Sequence, residues 1–272
     1  MFVQNAKNYV RALLGTPDIA ANIEFDAYLV YQASQQAGVD VIDELNVELI
    51  ERNTLYGAAW RLSRSLLDID GASVHTALDS YVPDRDLTVV MINQPVRAGR
   101  ANSFILANGG VGNVSPNGMV AGHEFGHNPG SLADEYDEFS GTSKSYFAPS
   151  LGHVTHRTDP TQVPWASHVG SRTDLPISAP FTPGAGVYAG GNYNAGGAYR
   201  STSNSRMRYS APLFNGISQE VFSRALCLKS LTEADFVGSS AGAEGVNGLL
   251  EPIFADGFES KNGSGALTDL CK

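Results

Sequence analysis

The apolar positions of the chain change their spacing several times, and each spacing predicts an element. Three segments carry apolar residues at helical intervals: residues 3–14, Thr54–Leu67 and Ser73–Tyr81. Three short apolar runs, rich in β-branched or aromatic residues, instead predict strands: Glu24–Ala33, Leu87–Asn93 and Asn102–Ala107. Helical spacing returns over Ser218–Phe236, with Ser218 as the predicted cap. Helices and strands that alternate in this way predict an α/β fold.

A further helix is predicted over Asn117–Asn128, because Pro129 and Gly130 after it cannot continue the hydrogen-bond ladder. From Ser140 to about Tyr209 the chain is rich in Gly, Pro, Ser and Tyr, which predicts a long loop region. We therefore expect one catalytic domain over residues 1–237, with an upper part to about residue 130 and a loop-rich lower part after it. Residues 238–272 form a C-terminal tail.

The helix before Pro129 contains the sequence His-Glu-Phe-Gly-His, which is an H-E-x-x-H element. Histidines four residues apart lie on one face of a helix, so His123 and His127 can bind a single metal ion. Glu124 follows the first histidine, where its carboxylate can act as general base on a water that zinc activates. This spacing predicts one catalytic Zn²⁺.

A catalytic zinc needs a third protein ligand besides the two histidines. The metzincin arrangement puts this ligand three residues after the turn glycine, which here is Ala133, and alanine cannot bind a metal. Asp134 is next, and we favour it because a sharp turn at Gly130 returns this segment beneath the histidines. Glu135 either supports Asp134 or is itself the ligand, and an acidic loop exposed to solvent would explain both residues without a metal.

Residues 123–138 (HEFGHNPGSLADEYDE) resemble the motif of the bacterial IgA-peptidase-type zinc metallopeptidases, H-E-x-G-H followed by a glycine and L-A-D-E-Y. Two further segments resemble that family: residues 87–110 (LTVVMINQPVRAGRANSFILANGG) and residues 184–208 (GAGVYAGGNYNAGGAYRSTSNSRMR).

The resemblance implies a metzincin-like metallopeptidase with a twisted mixed sheet, an active-site helix and a loop-rich lower subdomain. Met207 would be the methionine of the turn that lies beneath the histidines, and Tyr209 would stabilise the oxyanion. Asn102–Ala107 would be an edge strand that pairs with an extended substrate. The implied activity is a zinc-dependent endopeptidase acting on peptides or proteins. Two alternatives are a zinc hydrolase of a non-peptide amide and a catalytically silent, peptidase-like binding module.

Composition and charge bear on the partners and the location of the protein and leave the predicted chemistry unchanged. A net charge of −10 argues against nucleic acid as a partner, and no apolar run is long enough to span a membrane. The N-terminus has no signal-peptide pattern, yet low lysine and abundant Gly, Ser, Asn and Tyr favour a secreted or periplasmic protein. A bridge between Cys227 and Cys271 would support that location, whereas two free thiols would not. A monomer is the default expectation.

Overall fold

The computed structural model describes residues 2–14, 19, 26–62, 66–92, 99–101, 105–108, 114–137, 152–169, 184–209 and 213–230. The chain divides into two compact units, Met1–Asn128 and Pro129–Lys272. Helices and small sheets occur in both units, which confirms a mixed α/β fold in its general form. Among the described residues the strands form three small sheets, and the four-stranded sheet is mixed. No helix in these ranges is long and apolar enough to cross a membrane.

The first unit contains three helices and seven strands in the part that is described. In chain order they are α1 (Phe2–Leu14), β1 (Asp40–Ile42), β2 (Glu48–Ile50), β3 (Ala59–Arg61), β4 (Leu66–Asp68), α2 (Gly71–Asp79), β5 (Val89–Ile92), β6 (Gly99–Ala101), β7 (Ile105–Asn108) and α3 (Val114–His127). Strands β2-β1-β3-β4 form a mixed sheet, and β5-β7-β6 form a second one. Five buried residues make the core under them: Val39, Ala58, Leu67, Val74 and Ile92.

The predicted edge strand has a central position. β7 pairs in parallel with β5 on one side and antiparallel with β6 on the other. Because both of its backbone edges are already hydrogen-bonded, β7 cannot add a substrate strand, and the prediction for Asn102–Ala107 as an edge was wrong.

The helix predicted over Thr54–Leu67 is also wrong. Gly57 adopts a φ of 57°, which breaks a right-handed helix, and the Thr54 hydroxyl accepts a hydrogen bond from the amide of Ala58 at 2.7 Å. After this turn β3 and β4 pair antiparallel. Asp70 then caps α2, which confirms the helix predicted from Ser73.

The strand predicted over Glu24–Ala33 has no ladder in its described part, Asp26–Ala33. Hydrogen bonds to side chains at the end of this segment connect it to the turn at Gly57 instead. The hydroxyl of Tyr56 donates to the side chain of Gln32 at 2.5 Å, and the amide of Leu55 donates to the hydroxyl of Ser34 at 3.0 Å. The helix over residues 3–14 and the strand over Leu87–Asn93 are confirmed as α1 and β5.

The predicted metal helix is confirmed as α3, which begins at Val114, three residues before the predicted start. Proline is tolerated in the first turn of a helix, because the amide that it lacks would have no partner there. Hence Pro116 lies inside α3. The helix packs against α1 and against strands β6 and β7.

The second unit has more regular structure than its composition predicted. In the described part it contains β8 (Val154–Thr155), α4 (Ala166–Val169), β9 (Tyr188–Gly191), β10 (Asn194–Arg200), α5 (Arg206–Tyr209) and α6 (Gly216–Ser230). The three strands form an antiparallel sheet in the order β8-β10-β9, so the Gly/Tyr-rich segment is largely a hairpin and not a loop. A small core packs in this unit, made of Val163, Trp165, Val169, Val187 and Ile217.

Helix α6 confirms the predicted closing helix but begins with a different cap. The Asn215 side chain accepts a hydrogen bond from the amide of Ser218 at 2.8 Å, so Asn215 is the cap and Ser218 lies in the first turn. Cys227 on this helix is disulfide-bonded. The only other cysteine of the sequence is Cys271, which lies outside the described residues with the whole predicted tail, residues 238–272.

Candidate metal centre

Helix α3 presents two imidazole rings on one face. The ring centroids of His123 and His127 lie 4.8 Å apart in an edge-to-face arrangement, as residues one helical turn apart should. Both side chains are partly exposed to solvent, so they are accessible to an ion.

A carboxylate joins these histidines from the segment that follows the helix. Ser131 adopts a left-handed backbone conformation with a φ of 56°, and residues 131–137 (the ligand strip) then run without regular structure. One ligand atom each from His123, His127 and Asp134 lie within 4.8 Å of one another. Asp134 is buried, with 3% of its surface exposed.

The donor set of this cluster fits zinc. Two imidazole nitrogens and one carboxylate oxygen are common ligands of catalytic zinc, with bonds of about 2.0 to 2.2 Å. Such bonds place tetrahedral ligand atoms less than about 4 Å apart, a spacing comparable to the 4.8 Å within which the ligand atoms of this cluster lie. Three protein ligands also leave one position for water or substrate.

Glu124 lies on the same helix and is buried against strand β6. Its exposed fraction is 7%. A Cβ atom added to Gly99 would lie 2.5 Å from Oε1 of Glu124 and 2.8 Å from a methyl carbon of Val120, so the missing side chain of Gly99 makes room for this carboxylate. No local sequence pattern indicates this role of Gly99, because the role depends on the packing of α3 over β6.

Tyr9 of helix α1 lies close enough to Glu124 to sense its charge. Burial raises the pKa of the Tyr9 phenol far above its ordinary value, and the negative charge of Glu124 raises it further. Among the described residues the hydroxyl has no hydrogen-bond partner. The phenol therefore stays protonated at any ordinary pH.

Glu135 is the neighbour of Asp134, but the structure does not group it with the histidines. It is fully buried and accepts hydrogen bonds from Ser205 at 2.8 Å, Asn215 at 3.0 Å and Ser218 at 3.1 Å. Burial raises the pKa of the Glu135 carboxyl, while the nearby His153 and these three donors oppose the rise. The carboxylate thus connects the ligand strip to the segment before α5 and to the start of α6.

His153 and His156, two histidines that follow the ligand strip in the sequence, do not belong to the metal cluster. His156 is exposed, as loop histidines usually are. His153 is fully buried instead, and its Nε2 lies 3.2 Å from the amide nitrogen and 3.1 Å from the carbonyl oxygen of Ala133. It therefore contacts the backbone of the ligand strip one residue before Asp134.

Met207 and Tyr209 lie on the short helix α5. Met207 is fully buried, and its carbonyl oxygen accepts a hydrogen bond from the amide of Glu135 at 2.9 Å. The side chain of Tyr209 lies outside the described part of the structure.

A different tyrosine contacts the cluster. The hydroxyl of Tyr193, in the turn between β9 and β10, donates a hydrogen bond to Oδ2 of Asp134. Sequence reasoning missed Tyr193 because it treated the Gly/Tyr-rich segment as a loop. Asn192, which follows two glycines in the sequence Gly-Gly-Asn-Tyr-Asn, is the local feature that could have indicated a hairpin turn here.

Comparison with known proteins supports the expected family. The family model described as IgA Peptidase M64 matches residues 1–183, two thirds of the chain, including α3 and the ligand strip. No curated protein matches the sequence.

Proposed function

The chain belongs to the IgA peptidase M64 family, whose members are metallopeptidases, and on that premise we propose that it is a zinc-dependent endopeptidase. The observation that carries the proposal is the cluster of His123, His127 and Asp134, whose ligand atoms lie within 4.8 Å of one another. Membership implies a metal and a peptide or protein substrate. The choice of zinc comes from the nitrogen and oxygen donors of this cluster.

Each residue of the centre has a distinct role in the proposed reaction. His123, His127 and Asp134 would hold the ion, which would polarise the scissile carbonyl and lower the pKa of a water to about 7. Glu124 takes the proton from the attacking water and passes it to the nitrogen of the leaving amine. No covalent bond forms between the chain and its substrate.

The metzincin-like details belong to this proposal as well. Met207, fully buried on α5, would be the turn methionine beneath the histidines, and Tyr209 would stabilise the oxyanion. The catalytic domain would extend over residues 1–237. A secreted or periplasmic location is supported by the disulfide bond of Cys227, since such bonds persist in oxidising compartments.

The test compares wild-type protein with Glu124→Gln in casein cleavage and in zinc content by elemental analysis. Removal of the base should lower turnover by about 100- to 10,000-fold while zinc content is unchanged. Glu220→Gln is the matched control, because it makes the same chemical change on an exposed part of helix α6. It should cleave casein like wild type. Full turnover by Glu124→Gln would contradict the mechanism.

The same measurements distinguish the two alternative functions. A zinc hydrolase of a non-peptide amide would contain zinc but would leave casein intact. A silent binding module would contain no zinc after purification without chelator. Both outcomes differ from the proposed one, in which a chelator abolishes cleavage and added zinc restores it.

A further inference from the structure

The turn between β9 and β10 places a tyrosine, Tyr193, at a position that requires a positive φ angle. Asn194 of β10 pairs with Gly191 of β9, so Asn192 and Tyr193 form a two-residue hairpin loop. Their φ angles are 46° and 66°, the left-handed region that both central residues of a type I′ turn require. Asparagine tolerates this region, whereas a bulky tyrosine rarely adopts it. A residue kept in a strained conformation suggests a use for its side chain.

Main-chain hydrogen bonds fix this turn to the ligand strip. The amide of Asn192 donates to the carbonyl of Asp134 at 2.8 Å, and the amide of Tyr193 donates to the carbonyl of Tyr136 at 2.9 Å. The rings of Tyr136 and Tyr193 also meet edge to face, with centroids 5.2 Å apart. The turn therefore holds the Tyr193 side chain in one place relative to Asp134.

The side chain of Tyr193 ends on the carboxylate of the metal cluster. Its hydroxyl donates to Oδ2 of Asp134, which is almost completely buried. A carboxylate has two oxygens, so a hydrogen bond to Oδ2 is compatible with metal binding through Oδ1. Partners of this kind orient metal-binding carboxylates, and loss of one lowers metal affinity by about 10- to 100-fold.

We propose that Tyr193 is a positioning residue for the third metal ligand: its hydroxyl holds the Asp134 carboxylate so that one oxygen faces the ion. This inference rests on the proposed function, in which Asp134 binds zinc. It goes further by assigning the β9–β10 hairpin, a segment distant in sequence from the H-E-x-x-H element, to the metal centre.

The experiment measures the zinc dissociation constant of apoprotein by competition with a chromophoric chelator. Tyr193→Phe removes the hydroxyl and keeps the ring against Tyr136, so the dissociation constant should rise about 10- to 100-fold. Tyr188→Phe is the matched control, since it removes a hydroxyl from the same hairpin, one that donates to the Gly184 carbonyl at 3.1 Å. It should bind zinc like wild type.

A second variant, Tyr193→Gly, keeps the test valid if Tyr193→Phe fails to fold. Glycine adopts the backbone angle of Tyr193 without steric cost, so Tyr193→Gly removes the hydroxyl from a relaxed turn and should weaken zinc binding as phenylalanine does. Wild-type zinc affinity in a folded Tyr193→Phe or Tyr193→Gly would overturn the inference. If instead Asp134→Ala also binds zinc like wild type, Asp134 is not a zinc ligand, and the metal centre of His123, His127 and Asp134 on which both proposals rest fails.

Discussion

Helix α3 and the ligand strip are neighbours along the chain, but different forces position their side chains. The histidines of α3 meet because residues four apart share a helical face. The strip has no regular structure, and its two acidic residues are held by partners 59 to 83 positions away. Asp134 bonds to Tyr193 and joins the metal cluster, whereas Glu135 bonds to Ser205, Asn215 and Ser218. Adjacent carboxylates, both buried, thus have separate partners.

The largest expected effect comes from removing each of the two acidic side chains in turn and comparing the zinc affinities of the two variants. Asp134→Ala removes the proposed third metal ligand, so the zinc dissociation constant should rise by more than about 100-fold, which exceeds the cost of losing a supporting hydrogen bond. Glu135→Ala should change zinc affinity far less. Chelator competition on both apoproteins measures the two values. A larger loss in Glu135→Ala would move the third ligand to Glu135.

The contrast between α3 and the ligand strip also explains which parts of this site could be predicted from the sequence. The spacing of His123, Glu124 and His127 is local, and so is the helix that carries it, so both were predictable. The choice between Asp134 and Glu135 depends on Tyr193, Ser205 and Asn215, which no local pattern connects to the strip. The same limit applies to the fold. The apolar residues of Thr54–Leu67 have helical spacing, yet this segment forms the turn at Gly57 and the antiparallel pair of β3 and β4.

The next prediction concerns stability and the role of Glu135. Glu135→Ala leaves three buried donors without their acceptor, so the apoprotein should lose about 3 kcal/mol of unfolding free energy. Urea unfolding of the apoprotein measures this value. Glu220→Ala is the control: it removes an exposed glutamate and should change stability by less than about 0.5 kcal/mol. Equal stabilities for the two variants would contradict the structural role of Glu135.

A substitution of Gly99 tests whether the packing of β6 against α3 positions Glu124, the proposed general base. An added methyl group at Gly99 would lie 2.5 Å from Oε1 of Glu124, and the side chain must move because that distance is too short. Gly99→Ala should therefore lower turnover by about 10- to 100-fold, as small misplacements of a catalytic group do. Zinc affinity should stay at the wild-type value. Gly196→Ala, where nothing lies within 4 Å of the added carbon, is the control for a harmless change.

Unchanged casein cleavage by Gly99→Ala would mean that Glu124 reaches its working position without this contact. Loss of zinc together with turnover would mean that the methyl group disturbs the histidines as well as the base. Only a fall in turnover at constant zinc affinity supports the positioning of Glu124 by β6.

The smallest expected effect is a gain in stability from Tyr9→Phe. The buried Tyr9 hydroxyl has no hydrogen-bond partner in the described part of the chain, so its removal should stabilise the fold by about 1 kcal/mol. The raised pKa of Tyr9 gives this variant a pH signature. Above about pH 10 an unfolded tyrosine loses its proton while the buried one keeps it, so wild-type stability falls as pH rises. Tyr9→Phe lacks this component, and its advantage in urea unfolding should therefore widen between neutral pH and about pH 11. A constant difference across that range would show that the phenol is not held protonated beside Glu124.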